Sequence, residues 1–191
     1  MTIKPTREQA EEAVRTLIAW AGDNPNRKEL LETPRRVVDS YLELFSGYSI
    51  NIDEQEYKTF DNDNNYDDMI VLREIELQSH CEHHMVPIIG KVTIAYIPDQ
   101  KIIGLSKIAR IVDVFAKRLQ IQERLVMEIA QCLNQLLKPK GVAVFIESSH
   151  KCLTIRGAYK PGSLMQTYHM LGVFKEENKR RDFLQASQKK L

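Results

Sequence analysis

The order of hydrophobic periodicities predicts an α+β domain behind a helical preface. Two helix-spaced segments come first and the pattern then reads ββααββ, an order that closes most simply into a largely antiparallel sheet with one helix pair. Size supports this: 191 residues, 43% of them hydrophobic, can bury one sizeable core. The sheet is small for its helices, so one face is expected to need a neighbouring subunit to cover it.

The elements follow in order. Thr6 and Gln9 make a capping-box pattern, and Ala10, Ala13, Val14, Leu17, Ile18 and Ala21 recur at helical spacing up to Gly22. A second helix is expected with Thr33 as N-cap and Pro34 at its first position, running through Val37, Val38, Tyr41 and Phe45 to Gly47. These helices make up residues 1–48. The Asn/Asp-rich stretch 49–68 reads as a polar loop, and 69–191 as the main domain. In it, 69–78 and 90–97 read as strands around a dense turn, SHCEHHMVP. Ser106 is the expected cap of a helix to about Arg118, and a second helix spans about Gln122 to Leu137, ended by Pro139 and Gly141. Residues 142–147, 152–158 and 165–174 read as strands, and the charged tail from Lys175 as a helix.

Composition excludes several classes. Lys+Arg 27 against Asp+Glu 26 gives a net charge of +1, unlike a general nucleic-acid binder. No apolar run approaches the ~18 residues of a membrane span. The first residues, MTIKPTREQAEEAV, lack the apolar stretch of a secretory leader, and three cysteines point to thiols in the cytoplasm, not a disulfide framework. Cys132, at an apolar helical position, reads as a small core residue.

The chemistry concentrates at Cys81-Glu82-His83-His84. Cys81 and His84 are three apart, so one turn can aim both at one point, and thiolate and imidazole suit zinc. Three of five histidines (80, 83 and 84) crowd this one cysteine. Candidates for a third ligand lie in His150-Lys151-Cys152; on a strand, His150 and Cys152 would share a face. A Cys, His, Cys trio would leave a fourth tetrahedral position open, the mark of a catalytic zinc, and would leave His83 and His150 as spare imidazoles for proton transfer. Weaker signals accompany it. Ser106, Lys107 and Arg110 at a helix start make an anion site; Gln122-Glu123 can read a purine edge; Arg156-Gly157 offers another anion contact.

In this order, CEHH at 81–84, GLSKIAR at 104–110, QIQER at 120–124 and HKC…RG at 150–157 resemble GTP cyclohydrolase I. ETPRRV at 32–37 and LGVF at 171–174 extend the likeness from about residue 6 to 185. The resemblance implies the tunnelling fold over 69–191, in which ββααββ units form an antiparallel barrel and two pentamers stack into a homodecamer with active sites at subunit interfaces. It also implies the reaction: water adds at C8 of GTP, formate leaves, and the sugar rearranges and recloses to 7,8-dihydroneopterin triphosphate, the first step of tetrahydrofolate and pterin biosynthesis. Carried over, Cys81, His84 and Cys152 would hold one Zn2+ per subunit, supplying the attacking water. His150 would protonate N7 and His83 would be a second acid/base group. Glu123 would hold the guanine amino edge and Gln122 its carbonyl side. Ser106, Lys107, Arg110 and Arg156 would bind the ribose triphosphate, with Arg36 reaching in from a neighbouring subunit.

Two positions depart from the family pattern. Asp39 stands where a lysine is common, which removes one phosphate cation unless Arg35 or Lys151 compensates, and the segment SLMQTYHML at 163–171 retains Thr167 but carries Tyr168 and His169 in unusual places, the departures falling within Leu164–His169. Two other readings are a related purine or pterin enzyme on the same fold and a non-catalytic zinc module. Against the first stand intact Cys81, His84 and Cys152; against the second, the unused His83 and His150.

Overall fold

The first helix starts where its capping box requires. Thr6 Oγ1 accepts from the Gln9 amide (3.3 Å) and Gln9 Oε1 accepts from the Thr6 amide (2.9 Å), which satisfies two donors at the mouth of α1 (Arg7–Trp20). Gly22, in the left-handed region at φ +99, follows the helix end. The second helix, α2 (Thr33–Leu44), begins one residue earlier than expected. Glu32 is its N-cap and makes no side-chain capping bond, while Thr33 and Pro34 occupy the first two helical positions, where a missing N–H costs nothing. Asp39 on α2 is held by Arg7 of α1 at 2.6 Å and by Arg35 at 3.6 Å.

These helices belong to one of two units in the computed structural model, Met1–Ser46 and Gly47–Leu191; the described residues are 4–52 and 57–188. In the second unit the chain runs β1 (Thr59–Asp61), β2 (Ile70–Cys81), β3 (Pro87–Ile97), β4 (Lys101–Ile103), α3 (Leu105–Ala116), β5 (Leu119–Gln120), α4 (Gln122–Leu137), β6 (Gly141–His150), the single-turn α5 (Lys151–Thr154), β7 (Met165–Gly172) and α6 (Glu177–Gln188). The expected ββααββ skeleton is therefore β2, β3, α3, α4, β6 and β7.

Three expectations are corrected. The 49–68 segment is not all loop: β1 pairs antiparallel with β4 in a separate ribbon, three residues each, too short to leave a periodic signal. Buried Asn62 anchors it by donating to the Tyr66 and Asp99 carbonyls, both at 2.9 Å. Residues 152–158 form no strand. Lys151–Thr154 turns helically instead, and Gly157, at φ +66, breaks the extended run. Gly104 is the N-cap of α3, so Ser106 lies inside the first turn and caps nothing.

The main sheet has the order β5-β2-β3-β6-β7, antiparallel throughout except for β5 beside β2. Val92, Ile94 and Tyr96 of β3 and Val142, Val144 and Ile146 of β6 pack against Ile108, Ile111 and Val112 of α3 and Leu125, Ile129 and Leu133 of α4. Cys132 is buried in this same cluster, as read from its helical position. The alternate residues Ala95, Ile97, Ala143 and Phe145 meet Met170, Phe174 and Phe183 on the other face. The remainder of that face is mixed. Glu76, Lys91, Glu147 and Gln166 lie in register across four strands as a polar row, with Lys91 bonded to Glu76 and Gln166 to Glu147. Ile89 and Tyr168 stand exposed beside this row on the same face.

Candidate metal centre and active site

Topology explains why residues 70 positions apart meet. Strands β2 and β6 both pair antiparallel with β3, so they run in the same direction with β3 between them, about 10 Å apart by the usual strand spacing. Both therefore end at one edge of the sheet, where β3 begins. Cys81 is the last residue of β2 and His150 the last of β6. Two tight segments then fold over the start of β3. After Cys81 the chain reverses within five residues: the Met85 amide donates back to the Cys81 carbonyl (2.8 Å), the Cys81 amide to the Val86 carbonyl (2.9 Å), and Met85 takes φ +55. After His150 the helical turn of α5 swings Cys152 inward.

The ligand atoms of Cys81, His84 and Cys152 come within 4.8 Å of one another. Cys81 Sγ lies 3.7 Å from His84 Nδ1 and 3.9 Å from His83 Nδ1. Cys81 is buried, Cys152 half-buried, and His83 and His84 exposed, so the group opens to solvent on the histidine side. Burial, reinforced by the hydrogen bond and charge of Cys81, pushes the Cys152 thiol up, while Arg156 opposes the shift. Two sulfurs this close resist joint ionisation, and a divalent cation removes that cost by displacing both protons. The donor set, two soft sulfurs and one imidazole with no carboxylate, fits zinc.

Supporting groups surround the trio. Arg156 Nη1 lies 3.0 Å from His84 Nε2. Glu82, between two of the ligands, is gripped by Arg124, which also donates to the Leu119 carbonyl (3.0 Å) and, through Nε, to Gln120 Oε1 (3.0 Å). Glu82 Oε1 also stands 3.7 Å from His83 Nε2. Arg124 was visible in the sequence as part of QIQER, but nothing in that motif gave it a partner.

His150 is reached from the other side. Its Nε2 lies 2.8 Å from Gln122 Oε1, an oxygen that also accepts from Ser148 Oγ (2.6 Å). Burial lowers the His150 pKa, and the charge of Glu123 partly offsets this. Gln122 itself is 0% exposed, and its amide nitrogen donates to the Ile146 and Met165 carbonyls (both 3.1 Å) and to Thr167 Oγ1 (3.0 Å). Every hydrogen-bonding group of that side chain is taken. The expected contact of Gln122 with a guanine carbonyl therefore has no free group to make it, whereas Glu123, the next residue, is exposed. Gly90 permits this arrangement: a Cβ there would stand 2.1 Å from the Glu147 carbonyl oxygen and 2.5 Å from Ser148 Cβ, so only glycine lets β3 approach β6 at Ser148.

The remaining candidates stand apart. Ser106, Lys107 and Arg110 lie on the first turns of α3, and among the described residues their side chains make no hydrogen bond or ion pair. Arg36 lies exposed on α2 in the first unit. Arg35 is tied to Glu32 (2.9 Å) and faces Asp39, so it is already engaged.

Comparison with known proteins now bears on these groups. A profile of the GTP cyclohydrolase I family matches residues 10–188. GTP cyclohydrolase 1 of Rickettsia bellii is 51% identical over 192 residues, covering all of both chains. That of Allorhizobium ampelinum is 49% identical over 92% of this chain and 88% of its own, and that of Brucella anthropi 52% identical over 88% and 79%. Among solved structures, the archaeosine synthase QueF-Like in its apo form aligns over 55% of this chain and 93% of its own, at 17% identity and a TM-score of 0.46.

Proposed function

The chain belongs to the GTP cyclohydrolase I family and has its hydrolase activity and tunnelling fold, and from that premise we propose that the group at Cys81, His84 and Cys152 is its catalytic zinc site, with GTP as substrate. What supports this most directly is the convergence of those three ligand atoms within 4.8 Å at an open edge of the sheet. Zinc held there would supply Lewis acidity, ionising water near neutral pH.

The chain's own residues do the rest. His150 holds a proton for N7 of the purine, which makes C8 more electrophilic. His83, exposed beside the trio, serves as a second acid/base group for the departing formyl fragment. Glu123 presents a carboxylate to the N1–H and amino group of guanine. Lys107, Arg110 and Arg156 neutralise the triphosphate and the Ser106 hydroxyl donates to it, and Lys107 and Arg110, unpaired among the described residues, support this role, because cations held by carboxylates would be unavailable. Arg36 adds a further cation from a neighbouring subunit in a decamer of two stacked pentamers. With Asp39 committed to Arg7, this chain manages with one phosphate contact fewer. The product is 7,8-dihydroneopterin triphosphate, made in the cytoplasm. As a separate fact of the structure, no helix among the described residues is long and apolar enough to cross a membrane.

The test is to incubate zinc-loaded protein with GTP and follow formate and the dihydropterin, beside a chelator-treated sample. Metal-dependent release of both is expected. Retained zinc with neither product would leave a structural zinc module and sink the proposal.

A further inference from the structure

The Gln122 side chain spends itself entirely inside the protein, yet it touches the imidazole on which the proposed chemistry depends. Its orientation is not ambiguous. The Ile146 and Met165 carbonyls, both 3.1 Å from Nε2, can only accept hydrogen bonds, so the amide NH2 must point at them. The amide oxygen is thereby fixed on the opposite side, facing Ser148 Oγ at 2.6 Å and His150 Nε2 at 2.8 Å. An amide oxygen only accepts. Ser148 must therefore donate its hydroxyl, and His150 must carry a hydrogen on Nε2. Of the two ring nitrogens, only Nδ1 is left to face a substrate.

We propose that Gln122 is a positioning residue for His150: its carbonyl, clamped by β6 and β7, holds the ring through Nε2–H and presents Nδ1 to the purine. The inference rests on the reading of His150 as the proton donor to N7: with Nε2–H kept on the Gln122 oxygen, the proton passed to N7 leaves from Nδ1 of the imidazolium, and the ring returns to its neutral Nε2–H form. It divides the labour of two adjacent residues. Glu123 faces outward and reads guanine; Gln122 faces inward and sets the angle of the imidazole. Ser148 and Thr167 act on the same amide from either end, one on its oxygen and one on its nitrogen, so the ring is referenced to two strands at once. Such a support orients a reacting group without touching substrate.

The experiment is a double-mutant cycle on the zinc-loaded enzyme, with kcat and KM for GTP read from formate release for wild type, Gln122→Met, His150→Ala and the double variant. A positioning role predicts that Gln122→Met lowers kcat by about 10–100-fold with KM within about twofold, and adds little to the loss in His150→Ala. If the two losses multiply, or if the Gln122 variant raises KM while kcat holds, Gln122 acts on substrate or on the fold directly and the proposal is overturned, with His150 retaining its role. If His150→Ala turns over at the wild-type rate, both readings fall together. Should Gln122→Met not fold, wild type answers alone: solid-state 15N NMR of histidine-labelled holoenzyme, with His150→Ala for assignment, is expected to show the neutral ring protonated at Nε2, and protonation at Nδ1 overturns the proposal.

Discussion

Replacing Arg124 with methionine should weaken zinc binding although Arg124 ligates nothing. The guanidinium bridges three acceptors: the Glu82 carboxylate, the Leu119 carbonyl and the Gln120 side-chain oxygen. Glu82 sits inside the Cys81–His84 turn, while Leu119 and Gln120 form β5, which pairs with the end of β2. Arg124 thus pins the ligand turn to the sheet edge. A hydrogen bond to a charged group contributes about 1.5–3 kcal/mol when well buried, but both partners here are about a third exposed (38% and 31%), which reduces the ion pair to roughly 1 kcal/mol. The two neutral acceptors add about 1 kcal/mol between them. Some of that ~2 kcal/mol survives the substitution, because the Glu82 amide still donates to the Gln120 carbonyl at 3.0 Å. The share felt by the metal is then about 1.4 kcal/mol, a tenfold loss of zinc affinity, at the low end for residues that support ligands. Methionine keeps the apolar stem and helix propensity, so α4 should stay intact. Competition with a chromogenic chelator measures the zinc Kd, and circular dichroism checks the helices. An unchanged Kd in a folded variant would refute the argument that the turn needs this brace.

Three more outcomes follow from the same geometry. Cys152→Ala should abolish stoichiometric zinc and formate release together, a larger loss than any supporting residue causes; metal analysis of the purified variant decides this, and retained zinc would exclude Cys152 from the ligand set. Gly90→Ala forces a Cβ to 2.1 Å from the Glu147 carbonyl oxygen, an overpacking cost of about 1–3 kcal/mol or more, so thermal unfolding should fall by roughly 5–10 °C; no shift would mean that β3 and β6 separate freely there. Asp39→Asn keeps an acceptor for Arg7 but removes the negative charge from a pair whose side chains are 42–45% exposed, so denaturant unfolding should show a loss below about 1 kcal/mol.

The sequence was informative wherever spacing alone determines geometry. Ligands three residues apart on one tight turn meet with little help from the rest of the fold, and the core helices announced themselves through Ile108, Ile111 and Val112 or Leu125, Ile129 and Leu133 at helical intervals. It was less informative where geometry comes from pairing at a distance. Cys152 was expected on a strand sharing a face with His150; it lies instead on a helical turn, because Gly157 and Pro161-Gly162 leave no strand to continue and β6 gives its free edge to β7. Ser106 looked like a cap because serine caps well, but Gly104 holds that position without any side-chain bond. Three-residue strands such as β1 and β4 have no periodicity to detect at all.

Gln122 and Glu123 show why polar site residues are harder to assign than ligands. As neighbours in a sequence they look like two halves of one purine reader. At the mouth of a helix, however, consecutive side chains point about 100° apart, so one can face the sheet while the other faces solvent. Which one turns inward depends on what the sheet offers: here two carbonyls, a threonine and a serine from β6 and β7 converge on the same point, and only a side chain with both donors and acceptors satisfies them. A carboxylate placed there would face two carbonyl oxygens with nothing to donate, whereas the exposed position has no such requirement. The buried amide and the exposed acid are therefore not interchangeable, and exchanging them, Gln122→Glu with Glu123→Gln, should cost both the proposed guanine contact and the proposed orientation of His150. Kinetics of that swapped pair, compared with Glu123→Gln alone, separate the two contributions: the single variant should lose GTP affinity, and the pair should lose turnover as well.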